Sequence, residues 1–312
     1  MVDTVVAILN RNHGSQLRSC LDSLLNQNLE GVVIVVVDGN STDNSLQVLE
    51  EYAKRDQQIQ FFIQKTRGTG KARNELIEYV ETHFPEAKRI VWGDAENLYH
   101  KKYLGALTSI DADVVGGINV IDSDSPLSQS LWGYYNGFGG KIMVGNNESI
   151  RLNIYKKHRY EPITRTEDFF FYKQLKKDQC KFEKAYDALC YIKTAESFSE
   201  FIRWESSRTM GLLEGARLTG KLPQLLATYL GLVFAILLYF ALLPIVFLAE
   251  PILGVFYVSI LIFISVFMWI RGLRYIKKPR KLTALFFVPV FILDSFTVLF
   301  FLIKGIFFKK QA

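Results

Sequence analysis

The 312-residue chain has few of the residues that build covalent or metal frameworks. Its three cysteines, Cys20, Cys180 and Cys190, show no CxxC spacing. An odd number argues against a disulfide framework, so they are expected as small core residues in a reducing compartment. Four histidines are scattered, with no HExxH pair and no zinc-like cluster, which excludes the helix-borne zinc motif of metallohydrolases. No leader-like segment precedes the first apolar run, since Met1 passes almost directly into "TVVAIL". The N-terminal domain is therefore expected to stay in the cytoplasm. The standard nucleotide loops are also missing. "RGTGKARNE" (Arg67 to Glu75) has Lys65 where a Walker loop needs Gly, and Ala72 where it needs Ser or Thr. Arg73 stands where a dinucleotide fingerprint needs a small residue. What survives is a glycine-rich turn entering a helix, with Lys71 and Arg73 nearby as a generic anion site.

What is present is unevenly distributed. The chain is 49% hydrophobic with 24 Phe, and from Leu222 onward it is almost wholly apolar. Three segments, about 222–249, 251–270 and 282–308, each reach the ~20 residues needed to cross a bilayer. Glu250-Pro251 marks a tight turn between the first two, while Pro289 and Asp294 interrupt the third. The third can cross or lie partly in the interface, and a midspan carboxylate needs a partner. Much of the net charge of +6 sits in "RGLRYIKKPRK", Arg271 to Lys281. A basic loop between spans favours anionic lipids and the cytoplasmic side over nucleic acid. The stretch 197–221 mixes Phe198, Phe201, Ile202, Trp204, Met210, Leu212 and Leu213 with Arg203, Arg208 and Arg217. It is expected to lie as an amphipathic helix on the membrane surface, facing a lipid-borne acceptor. The chain thus divides into a soluble domain (1–196), an interfacial segment (197–221) and a membrane domain (222–312) with two or three spans.

The soluble domain alternates strands and helices, which implies an α/β fold with a mostly parallel sheet. "VVIVVV" (Val32 to Val37) has no polar residue on either face, the habit of a strand covered on both sides. It stops at Asp38 and gives way to "GNSTDNS". "RIVW" likewise runs into Asp94 and Glu96. Both acid sets are expected at the carboxyl ends of parallel strands, where open α/β sheets bind ligands. In extended backbone Asp94 and Glu96, two apart, point to one face and can share a hard cation, Mg²⁺ or Mn²⁺. Further on, Thr164 or Thr166 can cap a helix with Glu167-Asp168 in its first turn, and acids there are common for dipole reasons alone.

Taken in order, "VVVDGNSTDNS", "GTGKARNEL", "VWGDAEN", "GNNESIR" and "TEDFFFYKQL" resemble the inverting family 2 glycosyltransferases of GT-A fold, membrane-attached branch. The likeness covers about residues 3 to 210. It implies that Asp38 contacts the base or ribose of a nucleotide-sugar donor, with Asp43 supporting the turn and Asn12 matching a first-strand Asn. It implies that Asp94 and Glu96 occupy the D-x-D position, binding metal and diphosphate, and that Asp168 is the general base of the E-D motif beside Glu167. Lys71, Arg73, Arg151, Arg203, Trp204 and Arg208 stand as further substrate contacts. The expected reaction moves a sugar, from a UDP-sugar by family habit, to a hydroxyl of a lipid-linked, polyprenyl-type saccharide. The expected place is the cytoplasmic face of the cell membrane, or of the ER in a eukaryote. Three alternatives stay open: a polyprenyl-phosphate mannose synthase-like enzyme, a processive polysaccharide synthase, and a non-catalytic nucleotide-sugar-binding scaffold. The processive signature Q-x-x-R-W reads "EFIRW" here, with Glu200 in the Gln position.

Overall fold

The computed structural model describes residues 2–138, 145–279 and 287–307. The basic-loop end at 280–286 and the terminal Lys309-Lys310 lie outside the described residues. Two compact units form, one from residues up to 120 plus 145–192, the other from 121–138 and the described residues from 193 on.

In the first unit the chain runs β1 (Thr4–Asn10), α1 (Gly14–Leu25), β2 (Val32–Asp38), α2 (Ser45–Arg55), β3 (Ile59–Ile63), α3 (Thr69–His83) and β4 (Arg89–Asp94). The short β5 (Leu98–Tyr99), α4 (Tyr103–Thr108) and β6 (Val114–Ile121) follow. In the second unit, α5 (Pro126–Phe138) comes next; the chain then returns to the first with β7 (Asn147–Arg151), α6 (Glu167–Lys177) and β8 (Phe182–Ile192). The eight strands form one mixed sheet in the order β3-β2-β1-β4-β7-β6-β8-β5. Its first four strands are parallel, and β4 meets β7 antiparallel. After β1, β2 and β3 step outward one way, α3 carries the chain back so that β4 pairs on the other side of β1. That reversal opens a crevice beyond the carboxyl ends of β1 and β4.

The local reasons are visible residue by residue. Every position of β2 after Val32 is buried, because helices cover both faces of the parallel strands. On α1, Leu17, Cys20, Leu21 and Leu24 fall on one buried stripe at helical spacing. Trp92, Tyr155, Tyr160 and Phe171 fill one side of the sheet, with the Trp92 Nε1 donating to Tyr155 Oη at 2.6 Å. All three cysteines are free thiols, and Cys20 and Cys190 are buried as expected.

The second unit contains α5, α7 (Phe198–Leu218), α8 (Leu222–Ala249), α9 (Pro251–Gly272) and α10 (Phe287–Phe307). Helices α8, α9 and α10 are long and apolar enough to cross a membrane, which indicates membrane association. Tyr239 of α8 stacks on Tyr257 of α9 at 4.2 Å and donates to its carbonyl, fastening the hairpin. Helix α10 differs from the other two: 39% of its apolar window is buried, against 6% for α8. Its Asp294, only 3% exposed, does find a partner. Arg208 of α7 donates to Asp294 at 3.0 Å and grips the fully buried Glu205 through three further bonds. A polar bolt of this kind satisfies an otherwise prohibitive buried charge. Glu200 closes a capping box with Ser197 at the start of α7, so the residue in the family's Gln position serves as a helix-start device.

Candidate active site

At the carboxyl edge, Asn10 pairs in register with Asp38, and Leu9 with Asp94. Neighbouring strands lie about 4.8 Å apart, so the two acids start roughly 10 Å from each other across β1. Asp38 is fully buried and accepts from Asn10 Nδ2 (2.7 Å), Ser41 N (2.8 Å) and Ser41 Oγ (2.7 Å). Asn12 adopts a left-handed φ of 58° and accepts from Thr42 N at 2.7 Å. Asp43 accepts from Ser45 Oγ (2.6 Å), Gly14 N (2.9 Å) and Ser45 N (3.0 Å), and these bonds lower its pKa. The loops after β1 and β2 are therefore stitched into one wall. Asp38, Asn12 and Asp43 spend side-chain bonds on that wall, and they shape the cleft through the loops they hold. Asn10, a partner of Asp38, lies outside every motif read from the sequence.

Asp94 ends β4, and the small, buried Ala95 separates it from Glu96. Burial raises the Asp94 pKa, opposed by the charge of Arg73 and a hydrogen bond from Asn146. Burial and then the Asp94 charge raise Glu96, although its side chain keeps 48% of its surface exposed. His13 Nε2 stands 3.6 Å from Glu96 Oε2. Two adjacent carboxylates, both raised chiefly by burial and Glu96 also by the Asp94 charge, are the hard oxygen set that Mg²⁺ or Mn²⁺ satisfies. Asp94 and Glu96 would hold such an ion. Among the described residues no cluster of three His, Cys, Asp or Glu forms a complete cage.

Helix α6 supplies Glu167 and Asp168. Thr166 sits at its N-cap position, but with φ 64° its hydroxyl bonds the carbonyl of Arg165 and caps nothing. The left-handed backbone turns the side chain away from the first amides, so the Thr166 cap read from sequence does not form. Asp168 accepts from Phe169 N at 2.8 Å, and Gly145 N lies 3.4 Å from its Oδ2. Glu167, 4% exposed, accepts from Arg73 Nε at 2.7 Å. Arg73 is itself buried, lies over the rings of Trp92 (4.7 Å) and Tyr160 (5.1 Å), and donates to Gly145 O at 2.8 Å. It is a structural cation, tied to Glu167 and Gly145 through Nε and Nη2.

The glycine-rich turn before it also serves the chain itself. A Cβ on Gly70 would lie 1.9 Å from the Glu161 carbonyl oxygen, and Gly70 N donates to Ile163 O. Gly68 adopts φ 111°, which favours glycine. The turn admits residues 161–164 and is not an open anion cradle; Lys71 remains exposed beside it. Arg151 is placed at the opposite end of the sheet, across from Arg89, where it pairs with Asp111. The structure thus does not bring Arg151 to the acids. On α7, Arg203 is exposed, whereas Arg208 lies over Trp204 at 5.4 Å and is committed to Glu205 and Asp294.

The profile of "Glycosyl transferase family 2" matches residues 4–181, more than half of the chain. The Bacillus subtilis (strain 168) protein named "Putative glycosyltransferase EpsH" is 36% identical over 83 residues, 27% of this chain and 24% of EpsH. Glycosyltransferase GlyA of Streptococcus pneumoniae is 38% identical over 96 residues, 31% of this chain and 13% of GlyA. The matched stretches thus span a quarter or less of these curated relatives. Among solved structures, the mannosyltransferase PcManGT of Pyrobaculum calidifontis, in complex with GDP-Man and Mn²⁺, superposes with a TM-score of 0.63. That match covers 98% of this chain and 88% of PcManGT at 14% identity, a likeness of fold. The profile match leads to one conclusion: the chain belongs to glycosyl transferase family 2, and its first unit has a GT-A-like fold.

Proposed function

We propose that the protein is a metal-dependent, inverting glycosyltransferase that moves a sugar from a nucleotide-sugar, UDP-linked by preference, to a hydroxyl of a lipid-linked saccharide. The observation that carries this reading is that Arg73, bonded to Glu167 beside Asp168, also acts on the charge of Asp94 next to Glu96, so the two acid sets share one cation. Asp168 takes the proton of the acceptor hydroxyl as it attacks the anomeric carbon. Asp94 and Glu96 would hold a divalent cation, which when bound would supply charge neutralisation to the departing nucleoside diphosphate. Attack opposite the leaving group inverts the anomeric centre. The wall held by Asp38, Asn12 and Asp43 receives the nucleoside, and exposed Lys71 stands as an additional anion contact. The three apolar helices keep the domain at the cytoplasmic membrane face, where a polyprenyl-type acceptor presents its head group.

A second reading, transfer to a polyprenyl phosphate, uses the same donor site and differs only in the acceptor. One experiment separates them. Purified protein in detergent is given labelled UDP- and GDP-sugars with Mn²⁺ and either polyprenyl phosphates or lipid-linked saccharides. Label on a saccharide hydroxyl with inverted configuration supports the proposal. Label in an acid-labile glycosyl phosphate moves the account to the second reading, and a retained anomer removes Asp168 as an in-line base.

A further inference from the structure

Glu148 lies in the middle of the sheet, on β7, with none of its surface exposed. It faces Trp92 across β4 and Gly116 across β6. The hydroxyl of Tyr172 on α6 donates to its Oε2, and Oε1 has no hydrogen-bond partner among the described residues. Tyr172 stands four residues after Asp168, so both lie on one face of α6, a turn apart. The strand end next to Glu148 makes the other contacts: Gly145 N approaches Asp168, and Gly145 O accepts from Arg73, which holds Glu167. Segment 145–148 and the first two turns of α6 are therefore joined at three levels.

We infer that Glu148 is a positioning residue, kept as a neutral carboxylic acid, whose bond to Tyr172 fixes α6 and thereby aims Asp168 at the acceptor. The inference rests on the reading of Asp168 as the base. The groups facing Glu148 are Arg73 from α3, Tyr103 from α4, Tyr155 and Tyr160 from the segment after β7, and Glu167, Asp168 and Tyr172 from α6. Burial pushes the Glu148 carboxyl up to about 8, with the Tyr172 bond and Arg73 opposing and Asp168 and Glu167 adding. A fresh negative charge there would repel Asp168 and Glu167 and loosen the turn that carries them. A neutral acid and a glutamine present the same carbonyl acceptor to Tyr172, which makes Glu148→Gln a faithful mimic of the neutral state.

The test uses the full chain in detergent. In wild type, kcat falls as pH rises through about 8 while the donor KM holds steady. Glu148→Gln keeps kcat within about twofold at neutral pH and loses the alkaline fall, and Tyr172→Phe lowers kcat about tenfold with donor KM unchanged. Glu148→Gln as inactive at neutral pH as Asp168→Asn, or an unaltered alkaline fall, overturns the inference. An infrared difference spectrum between neutral and alkaline pH reads the same proton without turnover. Wild type should lose a protonated-carboxyl band that Glu148→Gln lacks, and no such band overturns the inference even if the variant does not fold. A band present in a protein that transfers no sugar would count against the proposed function and leave the neutral Glu148 standing.

Discussion

The two ends of β4 and β7 carry comparable numbers of charges and use them differently. At the amino end of β4, Arg89 is 8% exposed and donates to Ser149 Oγ at 3.1 Å and to the carbonyls of Ile110 and Ala112. Arg151, opposite it, is held by Asp111 and stands 3.9 Å from Asp113. Burial and then the neighbouring Arg151 lower the Arg89 pKa, but its carbonyl acceptors hold it in place. A cavity of about 470 Å³ opens there, lined by Lys88, Arg89, Asp111, Arg151 and Lys156. At the carboxyl end the balance is unfinished. Asp94, Glu96, Glu148 and Glu167 all have raised pKa values. Buried Asn10 Oδ1, Arg73 Nη1, Asn97 Nδ2, Asn147 Oδ1 and Glu148 Oε1 have no hydrogen-bond partner among the described residues. Native proteins leave few buried polar atoms unmet, and they concentrate the exceptions where function requires them. The amino end is finished as structure; the carboxyl end is left for a ligand to complete.

The comparison can be broken at several points. Asp168→Asn should lower kcat by about 10²- to 10⁴-fold with an unchanged melting temperature, if the carboxyl end does the chemistry. Arg73→Ala removes one partner of a buried ion pair and strands Glu167, costing about 3–5 kcal/mol of stability and lowering the melting temperature accordingly. Gly70→Ala forces a Cβ to within 1.9 Å of the Glu161 carbonyl oxygen, and overpacking of this kind costs about 1–3 kcal/mol. The Glu148 carboxyl gives a pH signature. Its folded-state pKa of about 8 exceeds the ordinary 4.5, so the folded state binds more protons between those values. Its stabilising contribution is complete below pH 4.5 and is lost as pH rises to about 8. The melting temperature of Glu148→Gln should therefore fall less steeply with pH across that window. The smallest effect belongs to the finished end: Arg151→Ala, in a half-exposed pair, should cost no more than about 1 kcal/mol and leave kcat unchanged.

Much of the parallel half of the sheet was legible in the sequence, because β-branched runs such as Val32 to Val37 and stripes such as Leu17, Leu21 and Leu24 are local patterns. The acids at the ends of β2 and β4 were legible for the same reason: each follows directly on a buried strand. Strands β6 and β8 were not, since "VVGGINVI" carries two glycines and the strand only makes sense beside β7. The grouping of 121–138 with the C-terminal helices is likewise a long-range fact. At the site, sequence could mark Arg73 as basic and Glu167 as acidic, but not that they neutralise each other across 94 positions. Glu148 carried no signal beyond its place in "GNNES". Its chemistry arises from burial by residues distant in the chain. Asp294 went the other way: a carboxylate inside an apolar helix demanded a partner, and Arg208 supplies it.

The measurement that tests the central claim most directly is a thermal-shift panel on detergent-purified protein. UDP, GDP, CMP and ATP are added singly, each with and without Mn²⁺, to wild type and to Asp94→Ala. A ligand that binds the folded state raises the melting temperature by mass action. One nucleoside diphosphate should stabilise the wild type in the presence of Mn²⁺, and Asp94→Ala should abolish the shift. No shift with any nucleotide at millimolar concentration, or a shift that Asp94→Ala leaves intact, would contradict the assignment of the carboxyl edge as the donor site.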